Sequence, residues 1–426
     1  MEKYFPRNLT SSLIKNLDSR QIFAIVGPRQ SGKTTLFKIL KKYLLEKKRV
    51  LKENIFYFNF EDFEIRNQFN KNPKEFIKRR IENLKGRAYF FFDEYHWAKN
   101  GGQKLKLLFD LFAPRVKFFI TGSSSLELTF KTGKFLVGRL FYFYLYPFSF
   151  EEFLATGEKH IFSAYKEMKD LGQKFKVPAK QTIFEDKIRA YFQKFVIFGG
   201  YPEVIKTKGK EKKKLILKSI INTYLEKEIR SLLLIEDLEG YRKFLQILAS
   251  QVGELLSYDQ VANDSGLNFK LLKRYFSILE ETYVLKRIRP FYKNLTSELR
   301  KNPKLYFVDL GLRNFLVDSF VSLEKQSAKG EIVENFVFGE LLKKGVLPNF
   351  WRTKGKAEVD FVLKREGGLL PVEVKYRNLK KPAISRSFAS FISCYQPERA
   401  MVLTNGFWGE RKLGKTKVLF MPVWYM

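Results

Sequence analysis

Cysteine and histidine are almost missing from this chain. One cysteine, Cys394, and two histidines, His96 and His160, among 426 residues can neither close an internal disulfide nor make a Cys/His zinc site. A reducing compartment, the cytoplasm, is therefore expected. Long apolar runs are missing too. Nothing approaches the roughly 18 to 20 residues that a membrane span needs, and the opening MEKYFPRNLT lacks the apolar core of a signal peptide, so no membrane partner is expected. Acidic residues are scarce beside basic ones: Asp and Glu number 45 against 79 Lys and Arg, leaving a net charge of +34 and a pI near 9.9. Such an excess predicts attraction to a polyanion, with DNA the leading partner. The competing reading is a lysine-rich surface set by genome composition or a hot environment.

What the chain has in plenty is apolar and aromatic material, 45% and 16% of residues with 44 Phe and 21 Tyr, enough to bury several cores. Its length suggests about two to four domains. Residues 1–150 alternate apolar runs (IFAIVGP, ENIFYFNF, RAYFFFDE, VKFFITGSSS) with helical stretches, the pattern of βαβ units around a parallel sheet. Residues 151–240 read as helical and irregular, a helical lid with a polar insertion around 157–185. Residues 241–322 give three helices with short turns and two strands, VLKRIRPFY and KLYFVDLG, which is a helix-turn-helix with a wing. Ser257 with Gln260 forms a candidate capping box there, and Asn268 a cap for the next helix. Residues 328–426 begin with a helix over Glu331 to Lys343, followed by a hairpin, another helix and two strands.

GPRQSGKT, at Gly27, Pro28, Arg29, Gln30, Ser31, Gly32, Lys33 and Thr34, followed by Thr35, has the G-x-x-x-x-G-K-[ST] spacing between a strand and a helix. Glycines let backbone N–H groups close on a β-phosphate, and the helix N-terminus adds its positive end. Lys33 is expected to reach the β- and γ-phosphates of ATP and Thr34 to ligate Mg²⁺. The strand AYFFFDE ends in Asp93, a second Mg²⁺ holder, and Glu94, placed to polarise the attacking water. Ser123, or else Thr121, is the candidate γ-phosphate sensor. Arg139 either reaches a phosphate across a subunit interface or pairs with Glu151 or Glu152.

Near the end, EVDFVLKREGGLLPVEVK places Asp360 on a strand face with Glu358, and Glu373 with Lys375 on the next strand. Glu334 stands on the preceding helix. This order is similar to the PD-(D/E)xK nuclease core. In that core Glu334, Asp360 and Glu373 would hold Mg²⁺, with Glu373 and Lys375 as catalytic groups. The alternative is a set of cross-strand ion pairs on a solvated face. In the helix-turn-helix, Asn268, Lys270, Lys273 and Arg274, with Lys286, Arg287 and Arg289 on the wing, are candidate phosphate contacts. Winged helices also serve as packing or protein-interaction modules.

The ordered blocks GPRQSGKTTL, FFFDE, FFITGSSS, GRLFYFYLYPFSFEEF, FGGYP and WRTKGKAEVDFVL with LPVEVKYR resemble prokaryotic and archaeal AAA+ family ATPases that pair an AAA_14-type ATPase domain with a DUF4143 domain. The resemblance runs over nearly the whole chain. It implies an α/β fold: a P-loop NTPase (AAA+) parallel sheet with helical lid, a winged helix, and a C-terminal restriction-endonuclease-like α/β domain. It also implies ATP binding and hydrolysis and a homo-oligomeric assembly. Ser123 departs from the Asn usual at the AAA+ sensor position.

Overall fold

The apolar runs near the N-terminus become a five-stranded sheet in the computed structural model, which describes residues 4–122, 136–230, 235, 237–292, 298 and 301–426. Strands β1 (Ile22–Val26), β2 (Ile55–Asn59), β3 (Ala88–Asp93), β4 (Val116–Gly122) and β5 (Leu140–Tyr144) lie in the order β2-β3-β4-β1-β5. All four pairings are parallel. β1, β3 and β4 are buried at every position while β2 and β5 at the edges are not. Burial on both faces is why the inner strands read as unbroken apolar runs. Helices α1 (Lys33–Glu46) and α2 (Gly101–Phe112) help cover the sheet. Phe37 of α1 meets Phe91 at 5.0 Å, and Phe91 stacks on Phe119 at 4.4 Å, so aromatic packing fixes the helix that follows the P-loop. Register sets Val26 level with Gly122 and Phe92 level with Ile120. The carboxyl ends of β1, β3 and β4 thereby line up, where open parallel sheets bind ligands.

Contacts divide the chain into two compact units, Met1–Pro147 with Glu281–Tyr283, and Phe148–Glu280 with Val284–Met426. The boundaries expected near residues 240 and 328 therefore fall inside the second unit. The helices over 151–240, expected as a lid on the nucleotide core, pack in that unit as well. The reason is a shared aromatic core. Phe150 lies 6.0 Å from Phe336 and Phe192 lies 4.9 Å from it, while Glu185 accepts hydrogen bonds from the Trp424 indole (3.0 Å) and the Tyr425 hydroxyl (2.7 Å). The stretch expected as a polar insertion contains a regular helix, α3 (Lys159–Gln173), ahead of α4 (Glu185–Phe198).

Helices α5 (Leu238–Ser250), α6 (Tyr258–Ser265) and α7 (Phe269–Glu281) precede an antiparallel pair, β6 (Leu285–Ile288) and β7 (Lys304–Phe307). Ser257 Oγ accepts the Gln260 N–H at 3.3 Å, one half of the expected box. Gly266 ends α6 at φ +73°, and Asn268 Oδ1 accepts the Leu271 N–H at 2.9 Å. Helix α8 (Lys329–Lys343) is buried from Ile332 through Leu342. It is a central helix with no solvent stripe. The final sheet runs β12-β13-β11-β10-β9-β8, formed by β8 (Asn349–Arg352), β9 (Glu358–Arg365), β10 (Gly368–Lys375), β11 (Arg399–Thr404), β12 (Gly409–Leu413) and β13 (Thr416–Pro422). Its β10-β11 and β11-β13 pairs are parallel and the others antiparallel. Helix α9 (Arg386–Tyr395) buries Phe388, Phe391 and Ile392 against it. Among the described residues no helix is long and apolar enough to cross a membrane.

Candidate functional site

The loop between β1 and α1 has the backbone that its glycines permit. Gly27 sits at φ +156°, Gln30 at +60° and Gly32 at +98°. A Cβ on Gly27 would stand 2.2 Å from the Leu145 carbonyl oxygen, so any side chain there displaces the loop. Gly32 precedes the first turn of α1, whose leading N–H groups have no partner within the helix. Lys33 is buried and donates to the carbonyls of Gly27 (3.0 Å) and Pro28 (2.9 Å). Thr34 is exposed beside it, Thr35 half-buried, and Arg29 half-buried on the loop. Ser31 Oγ is buried with no hydrogen-bond partner. From behind, Arg7 donates to the carbonyls of Ser31 (2.8 Å) and Tyr146 (2.5 Å). No local motif marks Arg7, because its partners lie 24 and 139 residues away.

At the end of β3, Asp93 is 2% exposed and accepts from the hydroxyls of Thr121 and of Tyr57, the latter at 2.7 Å. Burial and the neighbouring Asp93 carboxylate push the Tyr57 phenol upward, keeping it a donor. Glu94 takes a left-handed backbone, φ +51°, which turns its side chain away from the strand's alternation. Its N–H donates to Thr121 Oγ1 at 2.9 Å. Thr121 thus bridges both acids. His96 Nδ1 lies 3.1 Å from Glu94 Oε2. Burial alone would raise the Glu94 carboxyl, yet His96, Lys33 and Arg29 together hold it below the usual carboxylate range. A half-buried, ionised carboxylate within the field of a lysine is suited to accept a proton or a hydrogen bond from water. His96, two residues past the acid pair, was not assigned a role from sequence. The only signal is the tetrapeptide DEYH.

One other expectation comes out differently. Arg139 Nε binds Asp110 Oδ1 at 2.8 Å; Glu151 is taken by Lys166 and Lys169, and Glu152 by the Ser149 capping box. Its expected pairing with Glu151 or Glu152 is thereby corrected. Ser123 lies outside the described residues, and Thr121 is the sensor candidate that contacts the acids.

The residues at this first site fit magnesium nucleotide. A buried hydroxyl without a partner, Ser31 Oγ, sits in the loop, Gly27 leaves no room for a Cβ, and Thr34 and Asp93 supply hard oxygen donors.

The C-terminal acids come together differently. Burial and the Glu334 carboxylate push Asp360 well above the usual carboxylate range, against the pull of Lys304 and the Val374 N–H, with Glu373 adding to the rise. Asp360 Oδ2 accepts that N–H at 2.6 Å. Glu334, however, accepts from Lys304 Nζ at 2.9 Å and from the Tyr306 hydroxyl. The same ammonium lies 2.5 Å from Glu358 Oε1, while Arg352 holds the other Glu358 oxygen at 2.9 Å. Burial opposes the Lys304 charge, but Glu334, Glu358 and Asp360 outweigh it and raise its pKa. Glu373 Oε1 takes Lys375 (2.9 Å) and the Ser385 hydroxyl (2.7 Å), while Glu373 Oε2 is buried without a partner. Among the described residues no group of three His, Cys, Asp or Glu side chains is placed to hold a metal ion. The expected Mg²⁺ set of Glu334, Asp360 and Glu373 is corrected accordingly: Lys304 and Tyr306 occupy Glu334, Lys375 and Ser385 occupy Glu373 Oε1, and these residues as arranged do not fit the metal. Lys304 and Tyr306 point to one face of β7 by their spacing, yet nothing local links them to a helix 30 residues on. On the wing, Arg287 is also engaged, by Glu280 at 2.5 Å and the Tyr258 hydroxyl at 2.7 Å, so it leaves the set of candidate phosphate contacts. Asn268, Lys270, Lys273, Arg274 and Arg289 are exposed, and Lys286 is half-buried.

Comparison with known proteins assigns three stretches. Residues 19–154 match the AAA domain model AAA_14, residues 189–324 a domain of unknown function, DUF8612, and residues 329–424 another, DUF4143. An uncharacterized protein of Haemophilus influenzae is 25% identical over 98% of both chains. One from Methanocaldococcus jannaschii is 27% identical over 85% of this chain and 75% of its own. Among solved structures, the Aeropyrum pernix ORC1 protein in complex with DNA covers 75% of this chain and 94% of its own, at 12% identity and a TM-score of 0.31. The chain is thus an AAA_14-type AAA domain joined to DUF8612 and DUF4143 domains.

Proposed function

We propose that this protein hydrolyses ATP at the P-loop and uses the event to govern how its basic remainder holds DNA. One observation carries the first part: the ionised Glu94, steered by His96 and Thr121, stands within the field of Lys33 at the carboxyl ends of β3 and β1. In this reading the loop N–H groups and Lys33 grip the phosphates, and Glu94 orients water and takes its proton. Magnesium held by Thr34 and Asp93 would offset the phosphate charge. Thr121, which touches both acids, would report on the γ-phosphate. Assembly of several copies belongs to the same proposal, and light scattering with and without ATP tests it.

The DNA half rests on the net charge of +34 and on the exposed Lys270, Lys273 and Arg289 around the winged helix. Nuclease chemistry is left out, because Lys304 occupies Glu334 and the described acids are not grouped to hold a metal. ATP turnover by the wild type, lost in Lys33→Ala and in Glu94→Gln, together with DNA binding that weakens steeply with salt, supports the proposal. Absence of turnover overturns it. Supercoiled plasmid with Mg²⁺ is expected to stay intact in the wild type and in Asp360→Ala alike; nicking lost in the variant would restore the nuclease reading.

A further inference from the structure

A groove of about 410 Å³ opens on the second unit, between the end of the wing and the β8–β9 hairpin. Lys301, Arg352 and Lys354 line it together with Tyr292, Pro290 and Phe350. Main-chain bonds from the Phe291 N–H to the Phe350 carbonyl (2.5 Å) and from the Phe350 N–H to the Arg289 carbonyl (3.1 Å) fasten the two walls together. The groove is therefore built on paired backbone. Among the described residues no acidic side chain lines it. Lys301 and Lys354 are exposed and have no ion-pair partner among the described residues. Arg352 gives one guanidinium nitrogen to Glu358, which Lys304 satisfies from the other side. That carboxylate fixes the arginine's orientation, and the remaining guanidinium N–H groups stay available to an anion.

We propose that this groove takes one nucleotide of a single-stranded polynucleotide, with backbone phosphate on Lys301, Arg352 and Lys354 and the base against the Tyr292 ring. Size selects the single strand: a cavity of about 410 Å³ accommodates one nucleotide but not a duplex. A cationic groove beside an aromatic face is how proteins hold unpaired strands without reading sequence. Three cations, of which only Arg352 has a carboxylate partner, would be a poor seat for a neutral or cationic guest. The proposal rests on the DNA reading above and narrows it to a site and a strand form.

The test uses the full-length protein and fluorescence anisotropy with a labelled oligothymidine and a duplex of the same length, across a salt series. Variant Lys301→Glu/Lys354→Glu changes only exposed side chains, and Lys208→Glu/Lys212→Glu, exposed elsewhere on the same unit, is its charge-matched control. Melting curves confirm that each folds. The groove variant is expected to bind the single strand at least tenfold more weakly than the control variant does. Its log–log salt slope should be shallower by about 1.4, roughly 0.7 for each of two lost phosphate contacts. Tyr292→Ala should weaken the single strand about tenfold with an unchanged slope, since stacking releases no counterions. If the wild type binds DNA while the groove variant matches the control, or loses duplex affinity alone, the groove proposal is overturned and the DNA reading stands. If the wild type binds neither strand form at low salt, both fall.

Discussion

Asp93 and Glu94 meet hydroxyls and an imidazole, whereas Glu334 and Glu358 meet a buried ammonium. In the first group, the Thr121 and Tyr57 hydroxyls steady Asp93 without bringing a countercharge, and Glu94 beside it stays ionised to act on a ligand. In the second, Lys304 closes the electrostatic balance within the protein. Equal numbers of acids on neighbouring elements therefore have opposite chemical consequences. What separates them is whether the fold supplies the countercharge or leaves it to come from outside.

The largest effect that could break this contrast is at Glu94. Glu94→Gln should lower ATP turnover by about 10² to 10⁴ while leaving nucleotide binding in place, the loss typical of a removed general base; single-turnover kinetics beside an equilibrium nucleotide titration would show it. His96→Phe acts through the same carboxylate. With the imidazole gone, burial raises the Glu94 pKa, so the acidic limb of the kcat profile should move to higher pH. A fall in rate without that movement would make His96 a packing residue only.

Next comes the ammonium plug. Lys304→Met should destabilise the protein by about 3 to 5 kcal/mol, because it leaves the buried Glu334 carboxylate without a cation while Glu358 keeps Arg352. In the variant Glu334 then binds its proton more tightly folded than unfolded, so the loss should be greater at pH 8 than at pH 5. Urea denaturation at the two pH values gives the sign. Adding Glu334→Gln to Lys304→Met should recover part of the loss; no recovery would show that Lys304 is held for its shape and not for its charge.

A buried lysine without a carboxylate sharpens the point. Lys117 is fully buried, over the Phe23 ring at 3.4 Å, and donates to the carbonyls of Ser19 (2.9 Å) and Gln21 (2.7 Å). Burial lowers its pKa to about 6. Between that value and its ordinary one near 10.5, the unfolded chain binds the extra proton, so stability rises with pH across the window. Lys117→Met removes that dependence. The variant should be the more stable protein at pH 7, by a margin that shrinks as pH climbs. Near pH 10 the lost hydrogen bonds should make it the less stable one. The smallest effect expected is at a helix end: Asn268→Ala removes the cap on the Leu271 N–H and should cost about 1 kcal/mol, read from the urea midpoint.

Sequence and structure agree most closely where the physics is local. The P-loop is a run of eight residues whose two glycines permit the positive φ angles at Gly27 and Gly32, and a strand of continuous apolar residues must be buried on both faces, so β1, β3 and the position of Asp93 follow from short stretches. Asn268 and Gly266 likewise act within one helical turn. Residues whose role depends on distant partners are another matter. Arg7 locks the nucleotide loop from 24 residues before Ser31, and Lys304 turns a metal-like pattern into an ion-pair cluster from 30 residues before Glu334. The helices around 150–240 pack on α8 and the C-terminal turn through Phe150 and Phe192, which meet Phe336 and Trp424. Spacing along a chain encodes backbone conformation and burial, which each segment carries with it. Which charge meets which carboxylate is decided when the segments pack, and here that decided how the two acidic sites differ.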